Sequence, residues 1–351
     1  MAIPNPVQFL GNPGSPYTRK MLALLRYRRI PHTPIWKDPG NIDPTNPLEK
    51  MGIEKPKPVL LPTFLLPDES SGEMKAVCDS TPIIRRLEQE VDGRNVVPPD
   101  PAMSFINFLL EDFGDEWCTK YMFHYRWHFE ADIDNAGTLL PLGMNISLKP
   151  EDLEMMKDYI SKRQIERLYV VGSNNETAPI IDASYKRFLQ AMEKHLQNVP
   201  FLMGNRPSSS DFAIYGQLTQ LVGFDPTPRK IALEVSPRTA VWVSLIEDQS
   251  GLEISNDDWK SFSEAKTSLK EILNEVGKVY VPALLANSLA VNENKESWET
   301  QIDGATWQQP TFKYQAKCLE WIRDEYLKLP EQSKVEVNDL LSGTGCEALF
   351  I

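Results

Sequence analysis

Ser15 lies in the turn Gly11-Asn12-Pro13-Gly14-Ser15-Pro16-Tyr17, which leaves a hydroxyl at the joint between an apolar stretch and a helix. A site that steadies a thiol carried by a ligand needs such a hydroxyl, and the turn has no thiol of its own. Ser15 reads as the helix N-cap and Pro16 as the first helical residue, because serine accepts an orphan backbone N–H and proline has none to waste. The positive end of the helix then faces whatever sits beside Ser15. Asn12 and Tyr17, on the same turn, are rival polar groups. Taken alone, the turn is a plain cap; a second and a third segment, Leu61-Pro62 and Asp79-Ser80, shift the balance toward a site. Ser80 reads as the cap of a further helix, where free N–H groups and the dipole suit a carboxylate.

The elements that must hold these residues can be read from periodicity. Val7, Phe9 and Leu10 suggest a short buried strand, and Met21, Leu22, Leu24 and Leu25 recur at helical spacing. A second strand is expected at His32 to Lys37, then a proline- and lysine-rich loop from Asp38 to Pro58. Strands at 62–66 and 75–78, separated by a polar loop, read as a hairpin, and a helix at 81–90 closes a small α/β unit. After a Gly/Asn/Pro-rich linker at 92–101 the chain reads as helical, with helices at 151–170, 179–198, 209–222, 237–247 and 259–276. Asp303-Gly304 predicts a two-residue hairpin between 298–302 and 305–307, followed by helices at 314–329 and 334–341.

The chain has 351 residues, is 41% hydrophobic and carries a net charge of −12, enough for two domains and an appendage. With 49 acidic against 37 basic residues, a nucleic-acid partner is not expected. Arg19, Lys20, Arg26, Arg28 and Arg29 crowd the first helix and read mostly as a solvated face. The four cysteines form no CxxC pair, and Cys78 reads as a buried, inert thiol. No membrane partner, export signal or apolar run of about 18 residues is read from the sequence, so a cytoplasmic protein is expected. Glu111, Asp112, Asp115 and Glu116 precede His124-Tyr125-Arg126-Trp127-His128. Two histidines four apart without a general-base motif point to a polar network around Arg126 rather than to metal.

Ser15-Pro16-Tyr17-Thr18-Arg19-Lys20, Leu61-Pro62-Thr63-Phe64 and Asp79-Ser80-Thr81-Pro82-Ile83-Ile84 together resemble, in order and spacing, the glutathione S-transferase family. Gly204-Asn205-Arg206-Pro207-Ser208-Ser209-Ser210-Asp211 resembles that family's capping box, a folding motif in which Ser208 and Asp211 satisfy each other's backbone. The resemblance covers residues 1 to about 250. It implies a thioredoxin-like glutathione-binding domain (1–93), an all-helical electrophile-binding domain (94–276) and an unusual extension with a hairpin (277–351). Phe312 to Cys318 resembles longer bacterial members.

The same resemblance implies a detoxifying glutathione transferase, with glutathione as co-substrate, no metal, a small hydrophobic electrophile as partner, and a homodimer. Ser15 would stabilise the thiolate, with Tyr17 and Asn12 as further catalytic candidates. Leu61 and a cis Pro62 would pair the peptide, Asp79 and Ser80 would receive the γ-glutamyl end, and Lys50 the glycyl end. Trp117, Tyr121 and Tyr125 would wall the electrophile pocket; a core stripe accounts for some of them equally well. A noncatalytic binding or assembly module and a glutathione-dependent isomerase are the alternatives. A thiol–disulfide reductase is disfavoured, because Ser15 offers no protein thiol for a mixed disulfide.

Overall fold

Alternation of apolar residues toward both faces makes Val7–Gly11 (β1) a buried central strand, and Ser15 and Pro16 start the helix that leaves it, Pro16–Tyr27 (α1). The computed structural model describes residues 3–40 and 46–351. After α1 the chain forms His32–Trp36 (β2), the short helix Pro47–Met51 (α2), the hairpin Thr63–Pro67 (β3) and Met74–Val77 (β4), and the helix Ser80–Glu90 (α3). The sheet runs β2-β1-β3-β4. β1 pairs parallel with β2 and antiparallel with β3, with Leu10 opposite Thr63. This is the expected thioredoxin-like unit, with one change: Asp79, not Ser80, occupies the N-cap of α3, and Ser80 is its first helical residue.

The helical part opens with Pro101–Glu116 (α4), capped by Asp100, and Cys118–His128 (α5). Glu130–Met144 (α6) and Pro150–Ile165 (α7) follow as an antiparallel pair, and the run expected to 170 stops at Ile165 before a separate turn at Leu168–Val171. Ala178–His195 (α8), Ser209–Gly223 (α9), Pro226–Val235 (α10) and Pro237–Ile246 (α11) complete the bundle. α9 is buried along its length and packs on both α1 and α4. The Ser208–Asp211 box forms at its start: the Ser208 N–H donates to Asp211 at 2.9 Å, and Asp211 also accepts the Leu202 N–H at 2.8 Å.

Phe262–Glu275 (α12) passes through a π-turn at Val276–Tyr280 directly into Val281–Asn292 (α13), so the helix expected to end at 276 does not stop there. Ser297–Ile302 (β5) and Ala305–Pro310 (β6) form the hairpin, with Asp303 and Gly304 both at positive φ, as a type I′ turn requires. Lys313–Leu327 (α14) and Glu331–Leu341 (α15) then pack on α4. A single apolar core extends from β1 through the bundle to Leu349, and a smaller cluster around Leu10, Leu48 and Leu65 fills the other face of the sheet. Among the described residues no helix is long and apolar enough to cross a membrane.

Candidate functional site

Ser15 has extended backbone angles and its hydroxyl accepts the Thr18 N–H at 3.3 Å, which leaves the hydroxyl proton free to donate. The turn is fixed from behind by the helical part. Arg126 of α5 donates to the Gly14 carbonyl at 3.0 Å, and is itself paired with Asp225 at 3.0 Å and with the Gln220 carboxamide at 2.8 Å. The polar network expected around Arg126 is therefore present. A Cβ on Gly14 would come within 2.2 Å of the Leu140 side chain, so α6 closes tightly over this turn.

The rival groups face elsewhere. The Asn12 side chain accepts the Gly14 N–H at 2.8 Å and is buried, which makes it a brace of the turn. The Tyr17 hydroxyl donates to the Asp115 carbonyl at 2.7 Å; burial and the neighbouring Glu116 and Asp115 charges hold its pKa well above the usual phenol value. Neither is placed as a second thiol donor.

The β1–β3 register sets Pro62 beside the end of β1, and the Leu61–Pro62 bond is cis. Neither the N–H nor the C=O of Leu61 has a hydrogen-bond partner among the described residues. Asp79 adopts φ 84°, a conformation costly for a residue with a Cβ. Its carboxylate accepts the Tyr314 hydroxyl at 2.8 Å, a contact that brings α14 of the extension to the head of α3; burial raises its pKa. Ser80 is buried and its hydroxyl accepts Lys20 Nζ at 3.0 Å.

Lys20 is the side chain that charge reading misplaced. It is fully buried, and besides Ser80 it donates to Glu111 at 3.1 Å and Asp115 at 2.6 Å. Burial works to lower its pKa, but the Asp115 and Glu111 charges outweigh it and keep the ammonium charged. The two carboxyls share that one cation unequally. Burial raises both, yet Glu111, which also faces Arg85, is held down on balance, whereas Asp115 goes up. Of the other basic residues of this region, Arg28 is buried on Glu88, whereas Arg19 and Arg26, paired with Glu247, and Arg29, beside Glu253, keep partly exposed side chains as a solvated face would.

Trp117, Tyr121 and Tyr125 do not wall an open pocket. All are 0% exposed. The Trp117 indole donates to the Tyr121 hydroxyl at 3.0 Å and its ring packs on Trp307, while Tyr121 and Tyr125 bond to Ser184 and Asp182, both at 2.7 Å. The core-stripe alternative explains them, since their polar tips are satisfied internally. Lys50 lies exposed on α2. Cys78 donates to the Pro58 carbonyl, and burial raises its thiol pKa. His124 bonds Ser173 at 2.8 Å and stacks on His128; burial first, then His128, lowers its pKa to about 3. Among the described residues no group of His, Cys, Asp and Glu is arranged to hold a metal ion.

Residues 9–95 match the sequence model of the glutathione S-transferase N-terminal domain. No curated protein matches the chain in sequence. Among solved structures it is similar to a glutathione transferase of Burkholderia graminis with two glutathione molecules bound per subunit (15% identity, 69% of this chain and 83% of that one, TM-score 0.42). It is also similar to a glutathione transferase family member of Pseudomonas fluorescens with two glutathione bound (16%, 69% and 88%, TM-score 0.41), and to a tau-class glutathione S-transferase of mango (16%, 75% and 96%, TM-score 0.39). Residues 9–95, with the β2-β1-β3-β4 strand order and the Ser15 turn, therefore form a glutathione S-transferase N-terminal domain.

Proposed function

We propose that the protein binds glutathione along Leu61 and uses the Ser15 hydroxyl to stabilise its thiolate for attack on a small hydrophobic electrophile. The observation that carries this reading is the pairing of a free hydroxyl proton at the start of α1 with unpartnered Leu61 peptide groups on the adjacent strand end. A peptide can add to those groups as a short strand. A hydrogen bond to a charged group contributes roughly 1.5–3 kcal/mol, so one hydroxyl helped by a helix end lowers a thiol pKa by about one to two units from ~8.5. That makes thiolate the main form near neutrality. The sulfur then forms the new bond to the electrophile, whose leaving group departs with the electron pair, or whose carbanion takes a proton from water.

Ser15→Ala tests the assignment. Titrating the ultraviolet absorbance of bound thiolate should show its pKa rising by about one to two units, with kcat/KM toward a generic aromatic electrophile falling roughly ten- to hundred-fold. An unchanged thiol pKa in the variant would remove Ser15 from the mechanism.

One observation favours a second reading. Asp79 and Ser80 already engage Tyr314 and Lys20, as befits a fold retained for binding or assembly without turnover. Retention on immobilised glutathione with no turnover, in wild type and Ser15→Ala alike, would select it. The homodimer belongs to the same proposal, and light scattering at twice the chain mass is its expected outcome.

A further inference from the structure

The four carboxyls of α4, Glu111, Asp112, Asp115 and Glu116, border a cavity of about 10 Å³, room for one water-sized group. Three aromatic side chains, Phe108, Tyr314 and Trp321, also line it. Lys20 uses one oxygen of Glu111 and one of Asp115, and the Thr81 hydroxyl shares the former at 2.8 Å. Asp115 Oδ1 is buried and accepts no hydrogen bond from the described residues, whereas the second Glu111 oxygen has Arg85 at 3.7 Å and Glu111 also has the Ser209 hydroxyl beside it. Glu111 and Asp115 are more than nine-tenths buried, at 1% and 7% exposure. Thr81, Phe108 and Trp321 also line a surface groove of about 410 Å³ between α3, α4 and α14, so the cavity and the groove share these side chains as a wall.

The charges do not balance. Four carboxyls, with Asp79 behind Tyr314, face two cations at close range, Lys20 and Arg85, and Glu116 also feels the charge of Lys120. The other neighbours add no positive charge: Tyr280 donates to Asp112, Tyr17 to the Asp115 carbonyl, and Gln315 to Glu116, while Cys318 bonds Asp112. Lys120 of α5 turns to Gln309 at 2.9 Å; burial lowers its pKa to about 7 against the pull of Glu116, so its charge fades over the same range in which Glu116 ionises.

We propose that this corner binds a primary ammonium group carried on a slender aliphatic chain that lies in the groove. An ammonium is water-sized, brings three donors to the carboxylate oxygens, Asp115 Oδ1 among them, and is attracted by aromatic faces. The Arg85 guanidinium already sits over the Phe108 ring at 5.3 Å. Without such a cation, the acids keep protons instead: burial foremost pushes Asp112 up to about 6 and Glu116 up to about 8. A bound ammonium drives those protons off, so its affinity rises as they ionise. The site uses none of Ser15, Leu61 or Asp79. Uptake of an ammonium without uptake of glutathione would leave this site standing and remove the glutathione site.

Calorimetry on the full chain with butylammonium, butanol and tetramethylammonium tests it. Saturable binding is expected for butylammonium alone, tighter at about pH 8 than at about pH 6 by roughly ten-fold, with proton release read from buffers of different ionisation heat. Asp115→Asn should weaken binding at least about ten-fold, as expected when a buried charge partner is removed. Because that change also strips Lys20 of a partner, Ser104→Trp is the second variant: Ser104 lines the groove but not the cavity, so the indole fills the path of the aliphatic chain, and binding should be abolished with the thermal melt intact. No saturable heat from butylammonium at the higher pH, an equal response to butanol, or wild-type binding by a folded Ser104→Trp would overturn the proposal.

Discussion

Lys20 of α1 holds together three oxygens from two other elements, on Ser80 of α3 and on Glu111 and Asp115 of α4. Lys20→Met leaves Asp115 without its cation and Glu111 with only Arg85 at 3.7 Å, and a loss of about 3–5 kcal/mol is expected in urea unfolding. The deficit should shrink in acid. Asp115, already raised, then takes a proton that costs the fold nothing, so a deficit independent of pH would contradict this account. Glu116 makes a second prediction. Burial, then the Asp112 charge, lifts it to about 8 from an ordinary 4.5, with Gln315 opposing. A carboxyl raised in the fold contributes stability that is complete below its unfolded value and is lost as pH rises toward the folded one. The wild type should therefore lose stability from about pH 5 to about pH 8, and Glu116→Gln should lose part of that slope; parallel slopes would sink the assignment. The Ser15 cap was legible in the sequence because its signal is a local turn, whereas the cis Pro62 was expected only through the resemblance and the cap of α3 fell one residue earlier than read, on Asp79. Lys20 and Tyr314 were not legible: their partners lie 60 to 235 residues away, and counting charges cannot separate a buried cation from a solvated one.

The contact between α1 and α9 depends on Gly216. A Cβ there would lie 2.6 Å from the Pro16 carbonyl oxygen and 3.0 Å from Lys20 Cβ, and the backbone atom cannot rotate away. Gly216→Ala is expected to cost about 1–3 kcal/mol in thermal or urea unfolding, more than its gain in helix propensity returns. A variant as stable as wild type would show that the two helices have room to separate. Helices with a cap and an apolar side, such as α1, α3 and α9, could be read directly from sequence. α6 could not. Gly137, Gly143 and Pro141 all signal loop, and its buried residues are only Asp132, Ala136, Gly137 and Pro141. Small residues are what that packing needs, since a Cβ on Gly137 would meet Ser161 of α7 at 2.5 Å. α10 hides for a similar reason, with just Pro228 and Ala232 buried.

Across the whole molecule, the end of the extension packs on the bundle through a close backbone contact at Gly277. Gly277, in the π-turn between α12 and α13, lies where a Cβ would be 2.0 Å from the Thr344 carbonyl oxygen and 2.8 Å from the Cys346 N. The chain beyond is held by the Cys346 thiol on the Leu273 carbonyl, by Arg323 on the Leu349 carbonyl at 2.7 Å, and by Phe350 stacked on Tyr326 at 4.0 Å. Gly277→Ala should therefore push 344–350 off the bundle and leave the sheet untouched. In hydrogen exchange, amides of 344–350 are expected to speed up at least about ten-fold, equivalent to about 1.4 kcal/mol of local opening, while β1 and β3 keep their protection. Arg323 links that segment to α14, and α14 carries Tyr314 to Asp79, so exchange at the start of α3 should rise with it. Faster exchange everywhere would mean that the variant loses global stability instead. Protection lost at 344–350 but kept around Asp79 would show that α14 is anchored on α4 independently of the last residues.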